Sequence, residues 1–171
     1  MNFYEKELNN EIARFKSTLQ CLTYQKTTID QFEKLVEAIK YNGIACNYMI
    51  SAHEHDQSVS LFIFQEVALE SQIIKALHIS AAFIGIDINS IKAVLDINYC
   101  GYGFALPMTN KNIIRISLNN LKQHFSPLDV ERILNEAKTT IVTPFFIGVD
   151  KAAPDSDVTA YPVKEGTEVT A

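Results

Sequence analysis

The sequence predicts an α+β fold: a single domain whose antiparallel sheet is covered by about four helices, followed by a flexible C-terminal tail. Three observations point there. Apolar residues at helical spacing fill the first forty positions and return at Val130–Ala137. Two-residue alternation occupies most of the middle, over 44–51, 59–64, 102–106 and 114–118. The resulting order, α-α-β-β-α, then β-β-β, then α-β, has no repeated strand–helix–strand unit, so a doubly wound parallel sheet is not expected. At 171 residues the chain has room for one domain.

The first helix opens at Asn2, a capping residue, with Glu5 placed three residues on to complete a capping box. Leu8, Ile12, Phe15, Leu19 and Leu22 follow at intervals of four and three, which sets them on one stripe expected to face the core. A second helix is expected to start near Thr28, with Gln31 at the capping-box position and Phe32, Leu35, Val36 and Ile39 buried. Gly43 is placed to close it in the left-handed conformation.

The period then drops to two. Ile44, Cys46, Tyr48 and Ile50 alternate with their neighbours, and so do Val59, Leu61 and Ile63. The polar run from His53 to Gln57 between them gives an antiparallel hairpin. Val67 to Phe83 reads as a third helix, apolar nearly all round in its second half and ended by Gly85.

Residues 90–99 suit two structures. Ile91, Ala93, Leu95, Ile97 and Tyr99 alternate as a strand would, while Ser90 with Ile91, Val94 and Leu95 would suit a short helix; the strand is preferred. Tyr102, Phe104 and Leu106, then Ile114, Ile116 and Leu118, give two more antiparallel strands. Ser126, Pro127 and Asp129 hold the cap, N1 and N3 positions of the last helix. The β-rich run Thr140–Val149 contains Pro144, which cannot donate to a ladder, so an edge strand is expected.

From Asp150 onward there is no Leu, Ile, Phe or Met. Such a segment buries too little apolar surface to offset its ordering entropy, so the domain is drawn at 1–149 and a flexible acidic tail at 150–171. No internal repeat or heptad array is read from the chain.

The formal charge is −5, from 15 Lys plus Arg against 20 Asp plus Glu. The tail holds five acidic residues and two Lys, which is −3, and leaves −2 for the other 149 residues. With three Arg in the chain and no basic cluster, nucleic acid is not an expected partner. The first residues lack a basic segment leading into an apolar one, so no secretory signal is read. Glu70, Gln72, Lys75 and His78 interrupt the most apolar window, so no membrane span is expected. Cys21, Cys46 and Cys100 are far apart and form no C-x-x-C pair. Together these give a cytoplasmic protein with reduced thiols.

Chemistry-bearing motifs are sparse. His53, His55 and Asp56 are the weak metal candidates, because imidazole and carboxylate ligate divalent ions and a His-x-His pair can reach one ion. A solvated hairpin loop explains the same residues. Cys100, in Tyr99-Cys100-Gly101-Tyr102-Gly103, is a weak candidate for a reactive thiol, and a pocket near Cys100–Phe104 would suit a small molecule. A tight turn and a small packed side chain explain the same residues and are the preferred reading. Gly101-x-Gly103 lacks the third glycine of a dinucleotide loop. No cofactor and no catalytic set is assigned, and an enzyme is the less favoured class.

A binding role is therefore expected, as a non-enzymatic protein-binding adaptor or chaperone-like protein acting through an apolar surface or sheet edge. Phe145 and Phe146, with Tyr102 and Phe104, are the candidate partner-binding residues. A protein partner or a homodimer follows. The run from Tyr102 to Lys138 resembles the matching segment of bacterial secretion chaperones in element order, with no residue motif in common. A small-molecule or catalytic domain, and a phage or mobile-element inhibitor of a host protein, are the alternatives.

Overall fold

The computed structural model describes residues 2–65, 69–95, 101–108, 111–118 and 125–144. The elements run α1 (Phe3–Tyr41), β1 (Asn47–Ala52), β2 (Val59–Phe64), α2 (Glu70–Ile84), a single 3-10 turn (Ile88–Ser90), β3 (Lys92–Val94), β4 (Gly103–Leu106), β5 (Ile113–Ser117) and α3 (Pro127–Thr139). The α+β class stands.

Two helices were expected before Gly43, and one is found. α1 is continuous over 39 residues, about 58 Å at 1.5 Å per residue. Asn2 and Glu5 form the expected capping box. Thr28 does not cap a new helix: its hydroxyl donates to the Tyr24 carbonyl at 3.1 Å, within the helix. No Gly or Pro lies between Phe3 and Tyr41 to break the ladder. Three α-helices are therefore described instead of about four. Gly43, at φ +80°, turns the chain toward β1.

Among the described residues the sheet has five strands in the order β1-β2-β5-β4-β3. Three neighbouring pairs are antiparallel, but β2 and β5 run parallel, so the sheet is mixed and not purely antiparallel. The chain leaves β2, makes α2, β3 and β4 away from it, and returns with β5 alongside β2. Alternation along a strand fixes which residues share a face; it carries no information on which strand lies next door.

One face of the sheet carries the core. Leu61 and Ile63 of β2 lie opposite Ile114 and Ile116 of β5, with Phe104 and Leu106 of β4 beyond them, all buried. Phe32, Leu35 and Ile39 of α1, Ile73 and Leu77 of α2, and Val130 and Ile133 of α3 join the same cluster. The other face, with Met49, Phe62, Phe64 and Arg115, is only partly covered. Gly103 is required where β4 meets β5: a Cβ there would stand 2.2 Å from the Ile116 carbonyl oxygen.

The remaining expectations fall as follows. α2 begins at Glu70, ends at Ile84 and is closed by Gly85 at φ +75°, while residues 67 and 68 lie outside the described residues. Of residues 90–99, only Lys92–Val94 are strand, Ser90 ends the 3-10 turn, and 96–100 are outside. α3 has the expected Ser126 cap, with Asp129 completing a capping box. Residues 140–144 are not strand, and the tail, with 145–149, lies outside the described residues.

Candidate functional site

The two halves of α1 have opposite environments. From Thr28 to Ile39 the helix packs on the body, with Phe32, Leu35 and Ile39 fully buried. From Phe3 to Gln20 every residue is exposed. The stripe expected in the core is therefore outside it. Phe3, Tyr4, Leu8, Ile12, Phe15, Leu19 and Leu22 are between 43% and 79% exposed. Scattered exposed apolar residues are ordinary; seven within the first twenty residues of one helix, five of them on one line, are not.

The helix itself keeps this stripe off the domain. At 100° per residue, Leu8–Leu22 point roughly 130° around the axis from the set Gln25, Thr28, Phe32, Leu35, Val36 and Ile39. Intervals of three from Leu22 to Gln25 and from Gln25 to Thr28 move the buried face around the helix. The arm is thus a projecting continuation of α1 whose apolar face is turned away from the body's own contact.

Polar groups hold the root of the arm. Gln25 Nε2 donates to the His53 carbonyl at 3.1 Å, tying the helix to the β1–β2 turn. Asn112, just before β5, accepts from the Val59 amide at 2.8 Å, and its Nδ2 lies 3.1 Å from the Tyr24 hydroxyl oxygen. Gln25 and Asn112 are both buried, and buried amides are expensive to leave unpaired.

The His53–Asp56 loop is accounted for by turn structure. Asp56 accepts from the Ser58 amide at 3.1 Å and from the Ser58 hydroxyl at 2.7 Å, which holds its carboxyl below the ordinary value. His53 Nε2 lies 2.9 Å from Ser60 Oγ, and Gln57 takes φ +62°. His55 is exposed. Among the described residues no three His, Cys, Asp or Glu side chains are grouped as a metal site would need. His78 lies on α2 and donates from Nε2 to the Ala137 carbonyl at 2.7 Å, joining α2 to α3.

Cys100, Phe145 and Phe146 lie outside the described residues. Phe104 is fully buried against β5, so its ring has no surface to offer a partner, and Tyr102 is half-buried on the core. The void beside Tyr102–Phe104 is about 10 Å³, room for at most one water. A larger cleft of about 790 Å³ lies elsewhere, between the end of α1 and the start of α2, and is lined by residues including Lys40, Cys46, Asn47 and Gln72. Burial pushes the Cys46 thiol up, with Lys40 opposing, which disfavours the thiolate a nucleophile needs. Among the described residues β1 is an edge of the sheet, and it exposes Tyr48 and Met49, with Lys40 Nζ 5.4 Å from the Tyr48 ring centre.

The stripe was legible as a stripe, and its destination was not. An amphipathic helix reads the same whether its apolar face meets its own domain or another molecule. The available clue was the phase shift after Leu22. Among the described residues no helix is long and apolar enough to cross a membrane. Comparison with protein-family models, with curated proteins and with solved structures finds no match.

Proposed function

We propose that this chain is a protein-binding adaptor whose docking element is the exposed half of α1. One observation carries this: Leu8, Ile12, Phe15, Leu19 and Leu22 form a continuous apolar line on a helix that leaves the body. Water-exposed apolar surface of this extent is stabilised by covering it, at about 25 cal/mol per Å² removed from water. A helix presenting anchors at intervals of three and four suits another amphipathic helix or a groove. The sheet edge at β1 is the secondary surface, since its outer hydrogen-bonding groups face away from β2. A cytoplasmic setting belongs to the same proposal and agrees with Cys21 and Cys46 as free thiols.

Photo-crosslinking amino acids placed singly at Ile12, Phe15 and Leu19, and at Asn10 and Ser17 on other faces, test this in the native cell. Crosslinks to protein concentrated at the three stripe positions are expected. Equal crosslinking at all five, or none at the stripe, would refute docking through this face.

A further inference from the structure

We infer that the occupant of the arm is a second copy of this chain, with the two arms packed parallel and in register as a short coiled coil. This rests on the docking role proposed for the arm and names its partner. The intervals of four, three, four and three place Leu8, Phe15 and Leu22 at one core position of a heptad and Ile12 and Leu19 at the other. The line spans two heptads, shorter than the roughly three or four that mark a heptad array in sequence. In a parallel pair each faces its own counterpart, so both arms contribute the same self-complementary surface.

Charge selects the direction. Glu11 and Lys16 occupy the two positions that flank this seam, five residues apart. Parallel pairing brings Glu11 of one copy beside Lys16 of the other, and symmetry forms the contact twice. Antiparallel pairing sets Glu11 opposite Thr18 and Lys16 opposite Asn9, with no opposite charges meeting. The arm has three acidic residues, Glu5, Glu7 and Glu11, and three basic ones, Lys6, Arg14 and Lys16, so no net charge holds two arms apart. Glu5 and Lys26 take the next core positions on either side and bound the seam to Leu8–Leu22. Glu5 is already engaged with the Asn2 amide at 2.9 Å.

The body permits the arrangement. Because the stripe points roughly 130° from the side of α1 that packs on the sheet, two parallel arms carry their bodies on outer sides of the pair. The five side chains of each arm would remove roughly 1,000 Å² from water across the pair, at the low end of specific interfaces. Area does not set affinity, but an interface this small belongs with the reversible ones, and dissociation on the order of micromolar is the expected range.

Sedimentation equilibrium of the full chain from 1 to 200 μM, taken as roughly spanning that dissociation range, is expected to show a monomer–dimer equilibrium. Phe15→Glu with Leu19→Glu should leave only monomer, with an unchanged thermal unfolding curve as the folding control. Glu11→Lys alone and Lys16→Glu alone should each weaken self-association roughly five- to thirty-fold, and an equimolar mixture of the two should restore it. A dimer that survives Phe15→Glu with Leu19→Glu would overturn the assignment. So would charge variants with no effect, or a mixture that fails to recover. A wild-type chain that stays monomeric at 200 μM also overturns it. In that event, stripe crosslinks to a different protein in the cell leave the adaptor reading standing, and their absence removes both.

Discussion

Asn112 sits between three segments of chain. Its side-chain oxygen caps the first amide of β2 and its nitrogen meets the hydroxyl of Tyr24 on α1, so one buried amide relates both elements to the start of β5. Replacing it with Ala leaves the Val59 amide buried and unpaired. Asn112→Ala is expected to lower stability by about 1–3 kcal/mol in urea denaturation, and a loss within error would show that water satisfies the site. None of this was legible in the sequence, where Asn112 is one of many Asn in a loop beside a strand. Gly103 is similar: the two glycines read as a turn, yet Gly103 is in β4 and is needed because the β5 backbone lies where a side chain would be.

At the scale of elements, local chemistry was read well and junctions were not. Ser126, Pro127 and Asp129 gave the start of α3, Gly85 gave the end of α2, and alternation gave the β1–β2 hairpin. These are signals within a few residues of one another. Thr28 and Gln31 mimicked a second helix start because a capping box is a spacing of residue types, and the same residues occur inside a helix when the backbone needs no cap. The two halves of α1 should also respond differently to truncation. Leu35→Ala, in the buried half, is expected to cost about 2–5 kcal/mol. Leu19→Ala, on the arm, is expected to cost less than about 0.5 kcal/mol when unfolding is followed on monomer at low concentration. Comparable losses at both sites would show that the arm packs on the body.

At the scale of the molecule, the helix layer is stitched by side chains that respond to acid. Arg132 on α3 grips Glu70 on α2 with two hydrogen bonds, one of 2.9 Å. This holds the Glu70 carboxyl below its ordinary value, as Ser126 does for Asp129. Carboxyls depressed in the folded state add stability at pH values above their unfolded range, near about 4. That stability is lost as pH falls through the depressed folded values. The urea midpoint is expected to hold from about pH 7 to 5 and to fall below about 4, with a shallower fall in Glu70→Gln. These groups are half exposed, so the contribution of each is modest. An unchanged acid slope in the variant would remove the pair from the account. The α+β class came from counting periods, but the parallel β2–β5 contact came from a return path that no local pattern records.

The unbroken run of α1 through its root has a mechanical consequence. With no glycine or proline from Phe3 to Tyr41, the helix acts as a lever rather than a tether. Phe15 stands seventeen residues before Phe32, a fixed reach of about 25 Å at 1.5 Å per residue. A partner held at the stripe, as proposed, would therefore set the azimuth of the sheet as well as its distance. One residue added at the root would swing the apolar stripe by about 100° around the helix axis relative to the sheet without altering a single atom of the stripe itself.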